Sequence, residues 1–379
     1  MGKVKHKMKI AIIFGTRPEI IKMAPVIREC IKRNINFITI HSGQHYSYEL
    51  DKIFFEELDL PTPNYNLNIK SKAPYRQAEH TGRMLIEIED ILLKEEPNIL
   101  LVHGDTNTAL SGALISKKIS TTKNSTGKFI CVGHVEAGLR SYDQFMTEEI
   151  NRVICDHLSD FLFCPTKIAK DNILKEGINE SKIMLTGNTI VDSVYQNLEL
   201  GCKKTNILKE LNLKEKEYIL VTAHRQENVD VRKKLENIIE ALVKIKNKFN
   251  LPVIFPMHPR TKNFIEHYKI TIPSEITVIK PLGFLEFLVL ESKAKLLITD
   301  SGGVQEEGCI FNVPCVTLRE NTERPETLEI GANILAGTNT DTIIESAGKM
   351  ITQNIKWENP FGDGHSAEKI IDILQEKIN

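Results

Sequence analysis

The sequence predicts an α/β chain built on two parallel sheets, each covered by helices on both faces. One observation behind this is a rhythm. Short apolar runs alternate with longer stretches whose apolar residues recur every three or four positions, the signature of strands alternating with amphipathic helices. A second is number, since eleven such runs suit two sheets better than one. A third is placement: the residues with chemistry to offer cluster just after the runs, where parallel sheets bind ligands, beyond the carboxyl ends of their strands.

Taken in order, the strand candidates are Lys9–Phe14, 37–41, Ile99–His103, 129–134, Phe161–Cys164 and 182–185. A second set follows at 218–222, Val253–Pro256, 277–279, 295–299 and 314–318. Between them the spacing predicts helices, for example over 75–94 and Arg232–Phe249. Continuous rather than alternating apolar runs indicate strands buried on both faces, as in parallel sheets. The boundary falls near Gly187-Asn188, with 189–211 read as a helical linker. This gives a first domain over 1–187, a second over 188–360, and a terminal segment 361–379 whose helix, 366–377, packs back on the first domain. A polar loop is expected at 121–127.

The chain has 379 residues, enough for two ordinary cores. Its 49 basic and 50 acidic side chains nearly cancel, which argues against a nucleic-acid partner. Any anionic ligand must therefore be held by a local cluster of cations. The seven cysteines are scattered, odd in number and form no Cys-x-x-Cys pair, which speaks against a disulfide framework or a zinc ribbon and for a reducing cytoplasm. The basic stretch 3–9 precedes an apolar run too short for a signal peptide or a membrane span, so no membrane association is expected.

The most informative stretch is Thr299-Asp300-Ser301-Gly302-Gly303-Val304-Gln305-Glu306-Glu307. A hydroxyl and two glycines at a strand-to-helix turn let backbone N–H groups approach a ligand, and the helix N-terminus favours a phosphate. Either Glu306 or Glu307 is placed to grip a ribose diol. Phe284 and Phe287 flank a turn shortly before and offer cover for a nucleobase, with core packing as the plainer role for Phe284. Gly15-Thr16-Arg17-Pro18-Glu19 closes the first strand, with proline suited to a helix start and Arg17 and Lys22 facing a phosphate or solvent. His103-Gly104-Asp105 and His134-Val135-Glu136 each set a carboxylate at a strand end, and Glu148-Glu149-Ile150-Asn151-Arg152 follows. Carboxylates crowded at one cleft raise each other's pKa toward the range of acid–base chemistry. Ion pairing with Arg140 and Arg152 is the plainer role, preferred for Glu149 but not for Asp105 or Glu136. The His-x-Asp and His-x-Glu spacing also suits metal ligands, which keeps a metallohydrolase open, although no compact helical metal motif accompanies it. His224-Arg225 and His258-Pro259-Arg260-Thr261 close two strands of the second half. A His-Arg pair suits a diphosphate, with Arg225 as fixed charge and His224 as donor or general acid.

Together, and in order, Gly-Thr-Arg-Pro-Glu-Ile, Gly-Asp-Thr, Val-Glu-Ala-Gly-Leu-Arg, Glu-Glu-x-Asn-Arg, Asp-Ser-Gly-Gly-x-Gln-Glu-Glu and Thr-Glu-Arg-Pro-Glu resemble the non-hydrolysing UDP-N-acetylglucosamine 2-epimerases over nearly the whole chain. The resemblance implies a GT-B-type fold of two Rossmann-like domains facing a cleft. It also implies interconversion of UDP-GlcNAc and UDP-ManNAc through elimination and re-addition of UDP, without nicotinamide or an obligatory metal, by a homodimer. The catalytic positions it implies are Asp105, Glu136, Glu148 and His224. Its UDP contacts fall on Arg17, Lys22, Phe287, Ser301, Gly302, Gly303 and Glu307. A second UDP-GlcNAc in an activating site would meet Gln44, Arg76 and Arg225, although Ser47 replaces a further glutamine. Two other departures stand out. Thr147 replaces a proline common in the family, and His258-Pro259-Arg260-Thr261 is similar to relatives acting on a 2,3-diacetamido uronic acid. A hydrolysing epimerase that releases ManNAc, and a glycosyltransferase of the same fold, are the other enzymes the pattern admits.

Overall fold

The computed structural model describes residues 8–43, 54–69, 76–119, 130–143, 145–352 and 356–378. By its contacts the chain forms two compact units, Met1–Tyr195 with Phe361–Asn379, and Gln196–Pro360.

The first unit holds a seven-stranded sheet. In chain order its strands are β1 (Lys9–Phe14), β2 (Asn36–His41), β3 (Tyr65–Asn66), β4 (Ile99–His103), β5 (Cys131–Val135), β6 (Phe161–Cys164) and β7 (Ile183–Leu185). Their spatial order is β3-β2-β1-β4-β5-β6-β7, and every pairing is parallel. The second unit holds β8 (Ile219–Thr222), β9 (Val253–Pro256), β10 (Ile276–Ile279), β11 (Leu296–Thr299), β12 (Cys315–Thr317) and β13 (Asn333–Leu335). Their order is β10-β9-β8-β11-β12-β13, again all parallel. Both are the doubly wound arrangement in which the chain starts in the middle, builds outward one way, then returns to build the other. The strand order therefore reverses between β1 and β4 in one sheet and between β8 and β11 in the other. At such a point two neighbouring loops diverge and leave room for a ligand.

The apolar runs explain these strands. Ile10, Ile12, Ile13 and Phe14 are fully buried, as are Leu100, Leu101 and Val102 in β4, because helices cover both faces. In the second sheet Val221, Phe255, Ile298 and Val316 join Leu235, Ile238 and Leu242 of the helix Arg232–Phe249 in one core. Each such aliphatic side chain contributes roughly 1.5–3 kcal/mol on leaving water.

The differences from expectation are local. Strands β3 and β13 were not expected, for two or three residues are too short to show a period. The run at 182–185 divides into a 3₁₀ turn, Glu180–Lys182, and β7. The stretch 189–211 is two helices, Thr189–Lys204 and Ile207–Glu210. The loop at 121–127 lies outside the described residues. The helix Ser366–Ile378 belongs to the first unit. Asp192 receives the backbone N–H groups of Ser366 and Ala367 at 3.1 and 2.9 Å, which caps that helix. Lys32 pairs with Glu368 at 3.1 Å, and Arg33 pairs with Asp372.

Candidate active site

In the first unit, the loops after β1, β4 and β5 carry the chemistry. The β1 loop is organised by Glu19. Its Oε2 accepts Gly15 N at 2.9 Å, Thr16 N at 2.8 Å and the Thr16 hydroxyl at 2.9 Å, and its Oε1 accepts the Thr106 hydroxyl at 2.8 Å. One buried carboxyl thus ties the β1 loop to the β4 loop across the point where strand order reverses. Burial raises its pKa to about 7 although the four hydrogen bonds pull the other way. Arg17 opens the helix Arg17–Lys32 and is exposed, its guanidinium 5.8 Å from the Phe54 ring centre.

Asp105 and Glu136 follow the paired strands β4 and β5. Arg152 donates to Asp105 Oδ2 through Nε at 2.9 Å and Nη2 at 2.5 Å, and Asn151 donates to the Asp105 carbonyl at 2.8 Å. Asp105 is thereby fixed while its side chain keeps about a third of its surface open. Glu136 is nearly buried and pairs with Lys22, and Asn188 donates to the same oxygen at 3.3 Å. Its backbone is left-handed, φ 68°, an uncommon conformation for a non-glycine residue and one found at functional sites. His103 is fully buried beside it, Nε2 3.7 Å from Oε2 of Glu136, and burial lowers its pKa to about 4. Lys22, expected to face a phosphate, here holds Glu136 instead. Glu148 lies in the first turn of the helix Thr147–Leu158, exposed, where Thr147 donates to it at 3.0 Å. Glu149 accepts Ser141 N, Tyr142 N and Arg152, so it shapes the loop.

A buried network braces this wall. His134 is engaged at both nitrogens, by Asp156 at 2.7 Å and the Gly104 carbonyl at 2.8 Å, so neither nitrogen is left for a metal. Burial works to raise the Asp156 carboxyl, but His134 and Arg140 outweigh it and hold it below the usual range. Arg140 also grips Glu176 with two bonds, at 2.6 and 2.7 Å. Arg140 is therefore not the partner of either strand-end carboxylate. Among the described residues, no group of three His, Cys, Asp or Glu is arranged to hold a metal ion.

In the second unit, Asp300 ties the two loops at the reversal point. It is fully buried, and its Oδ2 accepts His224 N at 2.8 Å, Arg225 N at 2.9 Å and Asn228 Nδ2 at 3.2 Å. Its other oxygen lies 3.3 Å from His224 Nδ1, which turns Nε2 outward. The His258 ring stacks obliquely on His224, centres 5.2 Å apart. Ser301 stands at the N-cap position of the helix Gly302–Ile310 without a side-chain bond to it, and the first N–H groups have no acceptor within the helix itself. With Gly302 and Gly303 at its start, that end is shaped to receive a phosphate.

The paired glutamates separate. Glu306 is buried against Arg324, 2.6 Å away, which locks the Thr-Glu-Arg-Pro-Glu segment to this helix. Gln305 accepts the Thr322 hydroxyl at 2.6 Å and does the same job. Glu307 is 9% exposed, at the edge of the surface. Phe284 and Phe287 do not flank a turn, because both lie in the first turn of the helix Phe284–Lys293. Phe287 is partly buried against the core around Leu290 and Val304. Of the second-site residues, Arg76 is exposed beside the helix Gln77–Glu95, and Arg225 lies 3.7 Å from Glu227. Gln44 and Ser47 lie outside the described residues. The anchors Glu19, Asn188 and Asp300 were not singled out in the sequence. Their signal was only that each belongs to, or adjoins, a strand-end motif.

The fold and these two reversal points define a class, the doubly wound α/β proteins whose ligands sit beyond the carboxyl ends of the strands. Comparison narrows it. The family profile described as UDP-N-acetylglucosamine 2-epimerase matches residues 28–375. The UDP-N-acetylglucosamine 2-epimerase of Methanocaldococcus jannaschii is 52% identical over 97% of this chain and 99% of its own. The crystal structure of the M. jannaschii enzyme in complex with UDP-GlcNAc and UDP superposes with a TM-score of 0.82, at 52% identity, over 97% of this chain and all of that one. The UDP-2,3-diacetamido-2,3-dideoxy-D-glucuronate 2-epimerase of Pseudomonas aeruginosa is 39% identical over 97% of this chain and 99% of its own. The chain belongs to the UDP-N-acetylglucosamine 2-epimerase family.

Proposed function

We propose that the protein interconverts UDP-GlcNAc and UDP-ManNAc without net hydrolysis. The observation that carries this is the division of labour between the two reversal points. One has Asp105 at its edge and Glu136 at the next strand end, with Glu148 on the helix whose Arg152 holds Asp105. The other offers a helix N-terminus with Ser301, Gly302 and Gly303, beside His224 and Arg225. An anionic leaving group suits the second, and proton transfer suits the first.

The chemistry requires both. The C2 proton of an N-acetylhexosamine has no adjacent carbonyl to acidify it. As the anomeric C–O bond breaks, its electron pair leaves with UDP and the sugar gains oxocarbenium character. A carboxylate then takes the C2 proton, and the C–H electrons form the C1=C2 double bond of a 2-acetamidoglucal. Return of a proton to the opposite face of C2, with re-addition of UDP at C1, gives the other epimer. Nothing is oxidised and no water is consumed. Asp105, Glu136 and Glu148 supply the proton transfers and stabilise the cation. His224, with Nδ1 turned to Asp300, presents Nε2 to the diphosphate. Arg17, Lys22, Phe287, Ser301, Gly302, Gly303 and Glu307 hold UDP so that it can return. For Lys22 this means exchanging Glu136 for a phosphate.

The product decides among enzymes of this family. Purified protein given UDP-GlcNAc will form UDP-ManNAc, seen by proton NMR as a nucleotide-linked sugar. Accumulation of free ManNAc with UDP would show a hydrolysing enzyme. A second reading, action on a UDP-2,3-diacetamido uronic acid, is favoured by the P. aeruginosa relative and by His258-Pro259-Arg260-Thr261. Turnover of that sugar, measured side by side, would be the faster if it held. UDP-ManNAc as second ligand and a homodimeric form, checked by sedimentation, complete the reading. The seven free cysteines fit work in the cytoplasm, and among the described residues no helix is long and apolar enough to cross a membrane.

A further inference from the structure

One histidine joins the loops after β4 and β5, and its two bonds fix where its protons are. His134 lies on β5, two residues before Glu136, and is fully buried, as is Asp156 of the helix Thr147–Leu158. Its Nε2 is 2.8 Å from the carbonyl oxygen of Gly104, which can only accept, so Nε2 carries a hydrogen. Its Nδ1 is 2.7 Å from Asp156 Oδ1, and a bond between those atoms needs a second proton. The other oxygen of Asp156 decides which partner keeps that proton. Oδ2 accepts Gly138 N at 3.1 Å and stands 2.7 Å from Arg140 Nη2, contacts that favour the carboxylate. The proton therefore belongs to the ring, and His134 is an imidazolium. The balance of charge agrees. The Arg140 side chain is as deeply buried as Asp156, and it also pairs with the partly buried Glu176. One guanidinium against two carboxylates would leave a negative charge over, which the imidazolium cancels. The other titratable groups nearby add no buried charge. His157, 3.5 Å from Glu176, faces water, and burial pushes the thiols of Cys155 and Cys164 up. His103 on the neighbouring strand is held neutral, first by burial and further by the charges of Lys22 and His134, against the pull of Glu136.

We propose that His134 is a positioning residue for the epimerisation: a buried imidazolium that pins the Gly104–Asp105 turn through the Gly104 carbonyl and ties that turn to the Glu136 loop through Asp156. This rests on the reading of Asp105 and Glu136 as proton-transferring groups. Gly104 turns the chain with φ 63°, and its N–H donates to Val135 O at 3.0 Å. With His134 on its carbonyl, both polar groups of Gly104 are held by β5, so Asp105 leaves the turn in a set direction. Asp156 meanwhile holds Gly138 N, two residues beyond Glu136. One ion pair thus sets both loops. A bond from a charged donor is roughly twice as strong as a neutral one, which suits a brace that must not give. The charge has a second use. With a hydrogen on each nitrogen the ring has no lone pair, so it cannot compete with Asp105 or Glu136 for the C2 proton.

The test uses the full chain, with turnover of UDP-GlcNAc followed by proton NMR and UDP affinity by calorimetry. Asparagine reproduces the Nδ1 donor toward Asp156 and glutamine the Nε2 donor toward Gly104, so two variants separate the two arms. His134→Asn will lower kcat roughly hundredfold, the scale of a misplaced reacting group, with UDP affinity within about twofold of wild type. His134→Gln keeps the arm to Gly104 without the charge and will lose no more than about tenfold. A merely structural histidine would lower the melting temperature of both variants and leave kcat of the folded protein intact, and that result overturns the proposal. Asp105→Asn is measured beside them. If it keeps its kcat, the reading of Asp105 fails and takes the inference with it. If it loses kcat while His134→Asn does not, only the present inference fails. Should the histidine variants not fold, wild type decides by nitrogen NMR on isotope-labelled histidine at neutral pH. One buried ring will carry a hydrogen on each nitrogen, and a bare nitrogen on every buried ring overturns the imidazolium.

Discussion

At the scale of single residues, the first unit works by fixing charges rather than gathering them. Asp105 is held by two guanidinium bonds from Arg152, so its geometry does not depend on its being catalytic. Asp105→Asn is therefore expected to keep the fold and UDP affinity within about threefold while kcat falls roughly a thousandfold. Titration with UDP beside steady-state rates checks this, and unaltered kcat would remove Asp105 from the mechanism. His103 gives a pH prediction. Burial holds its pKa at about 4 against the ordinary 6.5, so the folded state favours the neutral ring. The stability it contributes is whole above the ordinary value and is lost as pH falls toward the folded one. That loss is about 2 kcal/mol by about pH 5. The stability gap between wild type and His103→Asn, measured by denaturant titration, will shrink by that amount from neutral pH to about pH 5. Legibility at this scale follows burial. Asp105 and Glu136 could be read because they sit where strands end. From the residues themselves, without the resemblance, Glu306 and Glu307 could not be told apart, since adjacent helix positions differ only in what packs on them.

At the scale of elements, turns and caps set the site. Gly138 follows Glu136 by two residues with φ 85°, and a Cβ there would run into the carbonyl of Ala169. Gly138→Ala will cost about 2–3 kcal/mol through strain and displacement of the helix Lys167–Lys175 that carries Ala169, and will lower kcat with it. Asp192→Ala removes the cap of the helix Ser366–Ile378 from two backbone donors. A loss of about 1–2 kcal/mol is expected, with kcat and UDP affinity unchanged. Both are measured by denaturant unfolding beside turnover. The apolar strands were legible because burial on both faces leaves continuous runs. The strands β3 and β13 were not, since pairing with an existing edge, rather than any pattern of their own, makes them strands.

At the scale of the molecule, two parallel sheets each reverse strand order once, and the motifs after β1, β4, β8 and β11 fall on those reversals. This is why the fold class and the family were legible: six motifs stand in order, four of them directly at strand ends, and strand ends mark ligand sites. What the order could not show was the bracing behind them, the Glu19 and Asp300 anchors and the His134–Asp156–Arg140 network, which exists only once distant strands pair. A near-neutral chain also fits a small anionic ligand held by local donors rather than a long polyanion gripped by a charged face.

The central claim is that epimerisation breaks and remakes the C2–H bond, with UDP leaving and returning. The direct measurement is proton NMR of UDP-GlcNAc with the purified protein in heavy water. The account predicts UDP-ManNAc carrying deuterium at C2, with the C2 proton signal of recovered UDP-GlcNAc fading as equilibrium is approached. UDP-ManNAc that retained its original hydrogen at C2 would contradict it.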